Sequence, residues 1–342
     1  MNSWKEKFLD KLVIGDSLVL LKEIPDGVVD LVITSPPYFQ QRDYGVDGIG
    51  MEESLEEYLS NLHDVFRECI RIVKPTGHIV INLGDKYEKG SLLMVPWRFA
   101  IRLLDTEPVY LINVITWVKT NPVPRQFKDR LVPSTEPFFI FTKSRKNYYF
   151  NKDAFLSLHA LLNKRKKHVS SSRIGQRYFE LIEKSSLTEK EKEEAKRELV
   201  SAIEEVKSGK ILGFRMKIRG IHSMPFGGQD GGRKRHIENK GFAIIKILGK
   251  HMKKDVIESP VETIKGIKHP AIYPEFVVGE IMKLLSPNGG VVLDPFVGSG
   301  TTAVVAKKLG RHYIGIDLNA EYIKYAQERI KNVSSMLIDY VL

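Results

Sequence analysis

The chain has 342 residues, 42% of them hydrophobic, enough to bury a sizeable core in one large α/β domain or two smaller ones. No run of 18 uncharged apolar residues occurs and the N-terminal MNSWKEKFLDKL is too charged for a signal h-region, so neither a membrane span nor export is expected and the expected compartment is the cytoplasm. A single cysteine excludes an intrachain disulfide and argues against a metal cluster, while a net charge of +11 suggests a polyanionic partner.

Along the chain, KLVIGD reads as a strand and turn, DSLVLLKEI as a helix and VVDLVI as a strand. LEEYLSNLHDVFRECIRIV follows as a long amphipathic helix, with Cys69 among its core positions, and GHIVINLGD as another strand. This alternation predicts a mostly parallel sheet.

The strand VVDLVI runs into Thr34-Ser35-Pro36-Pro37-Tyr38. Proline lacks an N–H, fixes φ and forces the preceding residue to be extended, so Ser35-Pro36-Pro37 is a stiff exit whose carbonyls are not absorbed into a helix. A serine hydroxyl and a proline carbonyl together suit the N–H bonds of an exocyclic amine. Such an amine is a poor nucleophile while its lone pair is delocalised into the base ring; two acceptors drawing its protons out of the ring plane would restore nucleophilic character. Tyr38 then suits stacking on a planar base that has left the duplex. The plainer alternative is that Pro36-Pro37 only ends the strand and Tyr38 fills core.

YLINVITWVK and TEPFFIFTK read as two further strands, separated by the proline-rich TNPVPRQFKDRLVPS, a long loop rather than a tight hairpin. From about residue 151 the alternation stops. Residues 151–260 carry 25 Lys and Arg against 14 Asp and Glu, so the whole excess charge sits there and the remainder is neutral. Within this segment LTEKEKEEAKRELVSAIEEVKSGK is a nearly neutral helix: Thr188 and Glu191 suit a capping box, and Ala195, Leu199, Ile203 and Val206 share a face. The basic excess flanks it. Phosphate contacts are expected from Lys164, Arg165, Lys166 and Lys167, and base-edge contacts from among Arg215, Arg219, Arg233 and Arg235; FGGQDGGRKRH reads as a flexible loop that orders on DNA or, equally, as a disordered surface loop. A merely solvated basic surface is the alternative.

The α/β pattern resumes with HPAIYPEFVVGEIMKLL entering a helix, then strand GGVVLD, helix GTTAVVAKKLG, strand RHYIGID and helix AEYIKYAQERIKN. VVLDPFVGSGTT is a strand, a glycine-rich turn and a helix start, with Gly298 and Gly300 permitting the turn and Thr301 and Thr302 opening the helix. Gly298-x-Gly300-x-x-Ala303, with Asp317 17 residues beyond Gly300, also satisfies a dinucleotide fingerprint, so an NAD-linked oxidoreductase competes. Asp294 separates the two: a carboxylate at the strand end repels a pyrophosphate but suits the ammonium of S-adenosylmethionine, with Asp317 accepting from ribose hydroxyls. Alternatively, Asp294 caps the turn.

Taken together, TSPPY and DPFVGSGTT resemble the amino-methylating DNA methyltransferases, in the group whose catalytic motif precedes the cofactor motif. GIDLNAEYI looks like the family's ribose-holding strand and helix, HPAIYPEFVV like the segment at the methionine end, and VITWVKTNPVP like the region beside the base pocket. The resemblance spans roughly 11–150 and 255–335. It implies catalytic roles for Ser35, Pro36, Pro37 and Tyr38. It also implies cofactor roles for Asp16, Thr34, His269, Pro270, Asp294, Pro295, Phe296, Gly298, Ser299, Gly300, Thr301, Thr302 and Asp317, with no metal. The expected architecture is a circularly permuted, doubly wound Rossmann-like methyltransferase sheet. In it VVLD, YIGID, LVIGD and VDLVITSPPY are strands 1 to 4 of a 3-2-1-4-5 order, with the two motifs meeting at the switch point. Residues 1–150 and 261–342 would form its catalytic and cofactor-binding halves, and 151–260 a target-recognition insert.

The expected reaction is direct in-line methyl transfer from S-adenosylmethionine to an amino nitrogen of a flipped base in double-stranded DNA. Ser-Pro-Pro-Tyr resembles cytosine-N4 enzymes more than the Asp-Pro-Pro-Tyr usual for adenine N6, which stays the alternative. Cytosine C5 is disfavoured, because similar enzymes for that reaction use a Pro-Cys nucleophile. The resemblance implies a prokaryotic, nucleoid-associated place in a restriction–modification system; a partnering endonuclease, and monomer against homodimer, are left open.

Overall fold

The computed structural model describes residues 3–41, 48–122, 130–151, 154, 156–157, 174–208, 210–211, 213–222, 232–247, 251–252, 254–261 and 273–333. It divides into two compact units, Met1–Phe155 with Lys254–Leu342, and Leu156–Lys253.

The sheet of the larger unit is built from β1 (Lys11–Ile14), β2 (Val29–Thr34), β3 (Val73–Asn82), β4 (Tyr110–Lys119), β5 (Thr135–Thr142), β6 (Val256–Ser259), β7 (Val291–Asp294) and β8 (His312–Asp317). Their spatial order is β1-β8-β7-β2-β3-β5-β4-β6. The run β1 to β3 is parallel throughout, β5 is antiparallel to both neighbours, and β6 is parallel to β4. The expected adjacency of LVI, YIGID, VVLD and VDLVIT is therefore the observed one. β6 lies inside the stretch expected to form the insert; the chain re-enters the sheet at about residue 254 rather than 261.

Both faces of the central strands are covered, which is why β2 is buried at every position and is apolar but for Asp30 and Thr34. On one face Val32, Ile79, Ile81, Phe139 and Leu293 pack against the helix Leu55–Ile72, whose Tyr58, Leu62, Val65, Phe66 and Cys69 recur at helical spacing. Ser54 starts that helix by accepting from Glu57 N–H at 3.2 Å. On the other face Leu31, Ile33, Val80, Ile140 and Val292 pack against the helix Glu275–Leu285 and against Val305 and Ala306. Asp30, 7% exposed, ties three strands together: it pairs with Lys74 at 2.8 Å and accepts from Val291 N–H at 2.8 Å.

The smaller unit has its own core of Ile182, Leu187, Ala195, Leu199, Met216, Ile218 and Phe242. Its helix Glu189–Lys207 starts in the expected capping box, with Thr188 Oγ1 accepting from Glu191 N–H at 3.3 Å and Glu191 accepting from Thr188 N–H at 2.8 Å. The antiparallel strands Gly213–Ile218 and Phe242–Ile247 pack on it. Residues Gly232–Lys240 form a helix, so the basic end of FGGQDGGRKRH is not the loop expected; Ile237, 1% exposed, anchors it.

Because this core is separate, Leu199→Ala is expected to destabilise the smaller unit by about 2–5 kcal/mol while sparing the larger one. Limited proteolysis should then cut first within 156–253; uniform protection of the two units would contradict separate cores.

Candidate active site

The order of strands reverses between β7 and β2, whose register pairs Val292 with Leu31 and Leu293 with Val32. Both strands run the same way, so Asp294 and Thr34 end at one edge of the sheet, and the glycine-rich turn and the proline motif leave it side by side. β8 ends there too, at Asp317, paired with Ile14, and Gly15 N–H donates to Asp317 O at 3.0 Å. This brings Asp16 to the same edge, where it caps the helix Ser17–Leu21 by accepting from Val19 N–H at 3.0 Å. Ser17 in turn donates to Pro295 O.

The turn after β7 is held from three sides. Gly298 N–H donates to Asp317 at 2.8 Å. Gly300 has φ +84° and a Cβ there would lie 2.6 Å from Ala326 Cβ, so only glycine fits both the backbone and the space. Arg329 reaches Ser299 O at 2.6 Å and Thr301 Oγ1 at 3.2 Å, and its other nitrogen pairs with Glu275 at 2.8 Å. Ser299, Thr301 and Thr302 are buried beneath the turn.

Asp294 was expected to face a ligand; the structure turns it inward. It is 1% exposed and accepts from Phe296 N–H at 3.0 Å, Thr302 Oγ1 at 2.6 Å and Tyr273 OH at 3.1 Å. Burial pushes its carboxyl up to about 6, against these donors, which favour the charged form. Thr34 also steadies that charge, although its buried hydroxyl makes no hydrogen bond of good geometry. In this arrangement Asp294 holds the turn from beneath.

In the proline motif Ser35 and Pro37 are half-buried and Pro36 buried. Tyr58 donates to Pro37 O at 2.8 Å, so this carbonyl is already engaged. The ring of Tyr38 is 6% exposed and a Cβ on Gly84 would lie 2.3 Å from it, so the stacking face expected of it is closed in this arrangement. Its hydroxyl instead lies 3.2 Å from Ser35 Oγ, 3.1 Å from Asn82 Oδ1 and 3.1 Å from Glu136. Asn82 and Glu136 are polar groups at strand ends that no sequence motif singled out.

Between the motifs opens a cavity of about 510 Å³. Ser35, Pro36 and Pro37 form one side, Phe296, Gly298 and Ser299 another, and Asp317 and Asn319 a third. Among the described residues, those lining it include Asp16, Glu52, Asp64 and Asp317 but no lysine or arginine. Burial raises the Asp317 carboxyl, offset by the N–H groups of Asn319 and Gly298. An acidic, partly apolar cavity suits a cation with an uncharged nucleoside; a pyrophosphate would meet the four carboxylates. The residues present therefore fit S-adenosylmethionine better than NAD.

Of the residues expected to meet DNA, Arg215 and Arg235 are exposed. Arg219 pairs within its own unit, with Glu191 at 2.8 and 3.0 Å, and donates to Glu238 O at 3.0 Å. Lys164 to Lys167, His269, Pro270 and the side chain of Arg233 lie outside the described residues.

The chain is 28% identical to the type II methyltransferase M.SfiI of Streptomyces fimbriatus, covering 91% of this chain and 89% of that protein. It is 27% identical to M.Cfr9I of Citrobacter freundii, covering 95% and 88%. The fold is shared with the PvuII cytosine-N4-specific DNA methyltransferase, at TM-score 0.55 and 17% identity over 97% of this chain and 87% of that one. It is shared too with the M1.HpyAVI–SAM complex, at TM-score 0.51 and 18% identity over 94% and 98%. The family model N6_N4_Mtase, described as DNA methylase, matches residues 29–328, and the chain accordingly belongs to the N6/N4 DNA methylase family.

Proposed function

We propose that this DNA methylase transfers a methyl group from S-adenosylmethionine to the exocyclic N4 of a flipped cytosine, in a restriction–modification system. The observation that carries the reading is one acidic cavity bordered on one side by Ser35-Pro36-Pro37 and on the other by the Asp317-pinned turn. S-adenosylmethionine supplies an electrophilic methyl on a sulfonium. Asp317 accepts from the ribose hydroxyls, Phe296 and Leu318 cover the apolar faces of the adenosine, and Asp16 lies at the adenine end. Ser35 Oγ and the Pro36 carbonyl accept the two amine hydrogens, orienting the nitrogen lone pair along the line of attack. Ser35 is a neutral acceptor, as in cytosine-N4 enzymes that carry Ser-Pro-Pro-Tyr. The relatives' names support the restriction–modification setting. Arg215 and Arg235 of the smaller unit contact DNA, the footprint of the chain's basic excess.

Calorimetry should detect S-adenosylmethionine binding and none for NAD. Asp294→Ala should weaken that binding at least about tenfold, because Phe296 N–H, Thr302 Oγ1 and Tyr273 OH lose a shared acceptor and the turn loosens. Full affinity in this variant would count against the site.

Nucleosides digested from methylated DNA should contain N4-methylcytosine. N6-methyladenine as the product would transfer the same chemistry to the alternative base.

Arg215→Ala should weaken DNA binding similarly for all sequences and lower the slope of log affinity against log salt by about 1. An unchanged slope would remove Arg215 from the interface.

A further inference from the structure

Ser35 stands at the outer end of a polar chain that runs inward through the sheet. Its Oγ lies 3.2 Å from Tyr38 OH and 3.3 Å from Asn82 Oδ1. Tyr38 OH lies 3.1 Å from Glu136 Oε2, and Glu136 Oε1 is ion-paired with Lys119 Nζ. The side chains of Glu136 and Lys119 are 13% and 20% exposed. Asn82 donates its amide to Pro137 O at 3.1 Å, which turns its oxygen toward Ser35 and Tyr38.

Counting hydrogens fixes the direction of this chain. The phenol has one hydrogen, and a carboxylate is a stronger acceptor than an amide, so Tyr38 donates to Glu136. Ser35 has one hydrogen and faces two inward acceptors, the Tyr38 oxygen and Asn82 Oδ1. Its lone pairs are then left for the cavity that Ser35 borders.

We propose that Glu136, acting through Tyr38 and Ser35, is the acceptor of the proton that the amine loses on methylation. This rests on the proposed amine-methylating function. As the N–CH3 bond forms and the S–CH3 bond breaks, the sulfur leaves as a neutral thioether and the nitrogen becomes cationic with one hydrogen too many. That proton passes to Ser35 Oγ, the serine proton to Tyr38 Oη and the tyrosine proton to the Glu136 carboxylate, which becomes a neutral acid beside Lys119. Tyr38 and Glu136 are positioning residues; neither touches the methyl group. The closed ring of Tyr38 has its use here, as the middle of the relay.

The test compares single-turnover methylation with binding of S-adenosylhomocysteine and of DNA, which needs no turnover. Glu136→Gln keeps the size and the acceptor for Tyr38 but cannot take a proton; it should slow transfer on the order of 10²-fold with both affinities unchanged. Glu136→Asp, which keeps the charge on a shorter arm, should retain more rate than Glu136→Gln; a purely structural role predicts the reverse. Tyr38→Phe should be slow as well, and combining it with Glu136→Gln should add little. Glu136→Gln leaves Lys119 unpaired, so a paired Lys119→Met/Glu136→Gln variant restores charge balance. It should fold normally and remain slow. Recovery of the wild-type rate in that variant, or Glu136→Gln outpacing Glu136→Asp, would overturn the relay. Wild-type protein that methylates no exocyclic amine would instead overturn the proposed function beneath it.

Discussion

The parallel pairing of β2 with β7 is the constraint on which the site depends. Val292 opposite Leu31 and Leu293 opposite Val32 set two strand ends at one edge, although the strands stand near opposite ends of the sequence. The sheet order reverses there, so the connections leave in opposite directions and a crevice opens between them. Slipping the register would separate the proline motif from the glycine turn and empty the crevice of chemistry. The burial of β2 on both faces and the tie from its Asp30 to Val291 N–H make that slip costly.

Around the crevice, charge is sorted by depth. Asp317 is at the surface of the cavity, where one oxygen pins Gly298 and the carboxylate still borders the ligand space. Asp294 lies beneath, spent on Phe296, Thr302 and Tyr273. One acid therefore gives the turn its shape, and another, with Asp16, Glu52 and Asp64, gives the cavity its sign. Arg329, reaching the turn from the helix Ala320–Lys331, supplies half-buried positive charge and is not among the residues lining the cavity. The basic excess of the chain stands in the other unit.

Much of this was legible in the residues. Local rules found the strands, the Thr188–Glu191 capping box and the glycines of the turn, because each depends on neighbours in the chain. Strand adjacency followed from the motif order. What escaped was tertiary. The inward turn of Asp294 depends on Tyr273 and Thr302, which reach it from other elements. Arg219 reads as a free cation until Glu191, on a separate helix, is placed beside it. Asn82 and Glu136 carry no motif, and only the antiparallel lie of β5 against β3 brings them to Tyr38. Residues Gly232–Lys240 misled through their glycines and charges, since the apolar anchor is the single Ile237.

The central claim is that one crevice holds the methyl donor and the acceptor nitrogen together. A crystal structure with S-adenosylhomocysteine and substrate DNA tests it directly. The account predicts ribose hydroxyls on Asp317, the sulfur facing Ser35 and a flipped base whose amine rests between Ser35 Oγ and the Pro36 carbonyl. A nucleoside bound away from the Gly298 turn, or a base held far from Ser35, would contradict it.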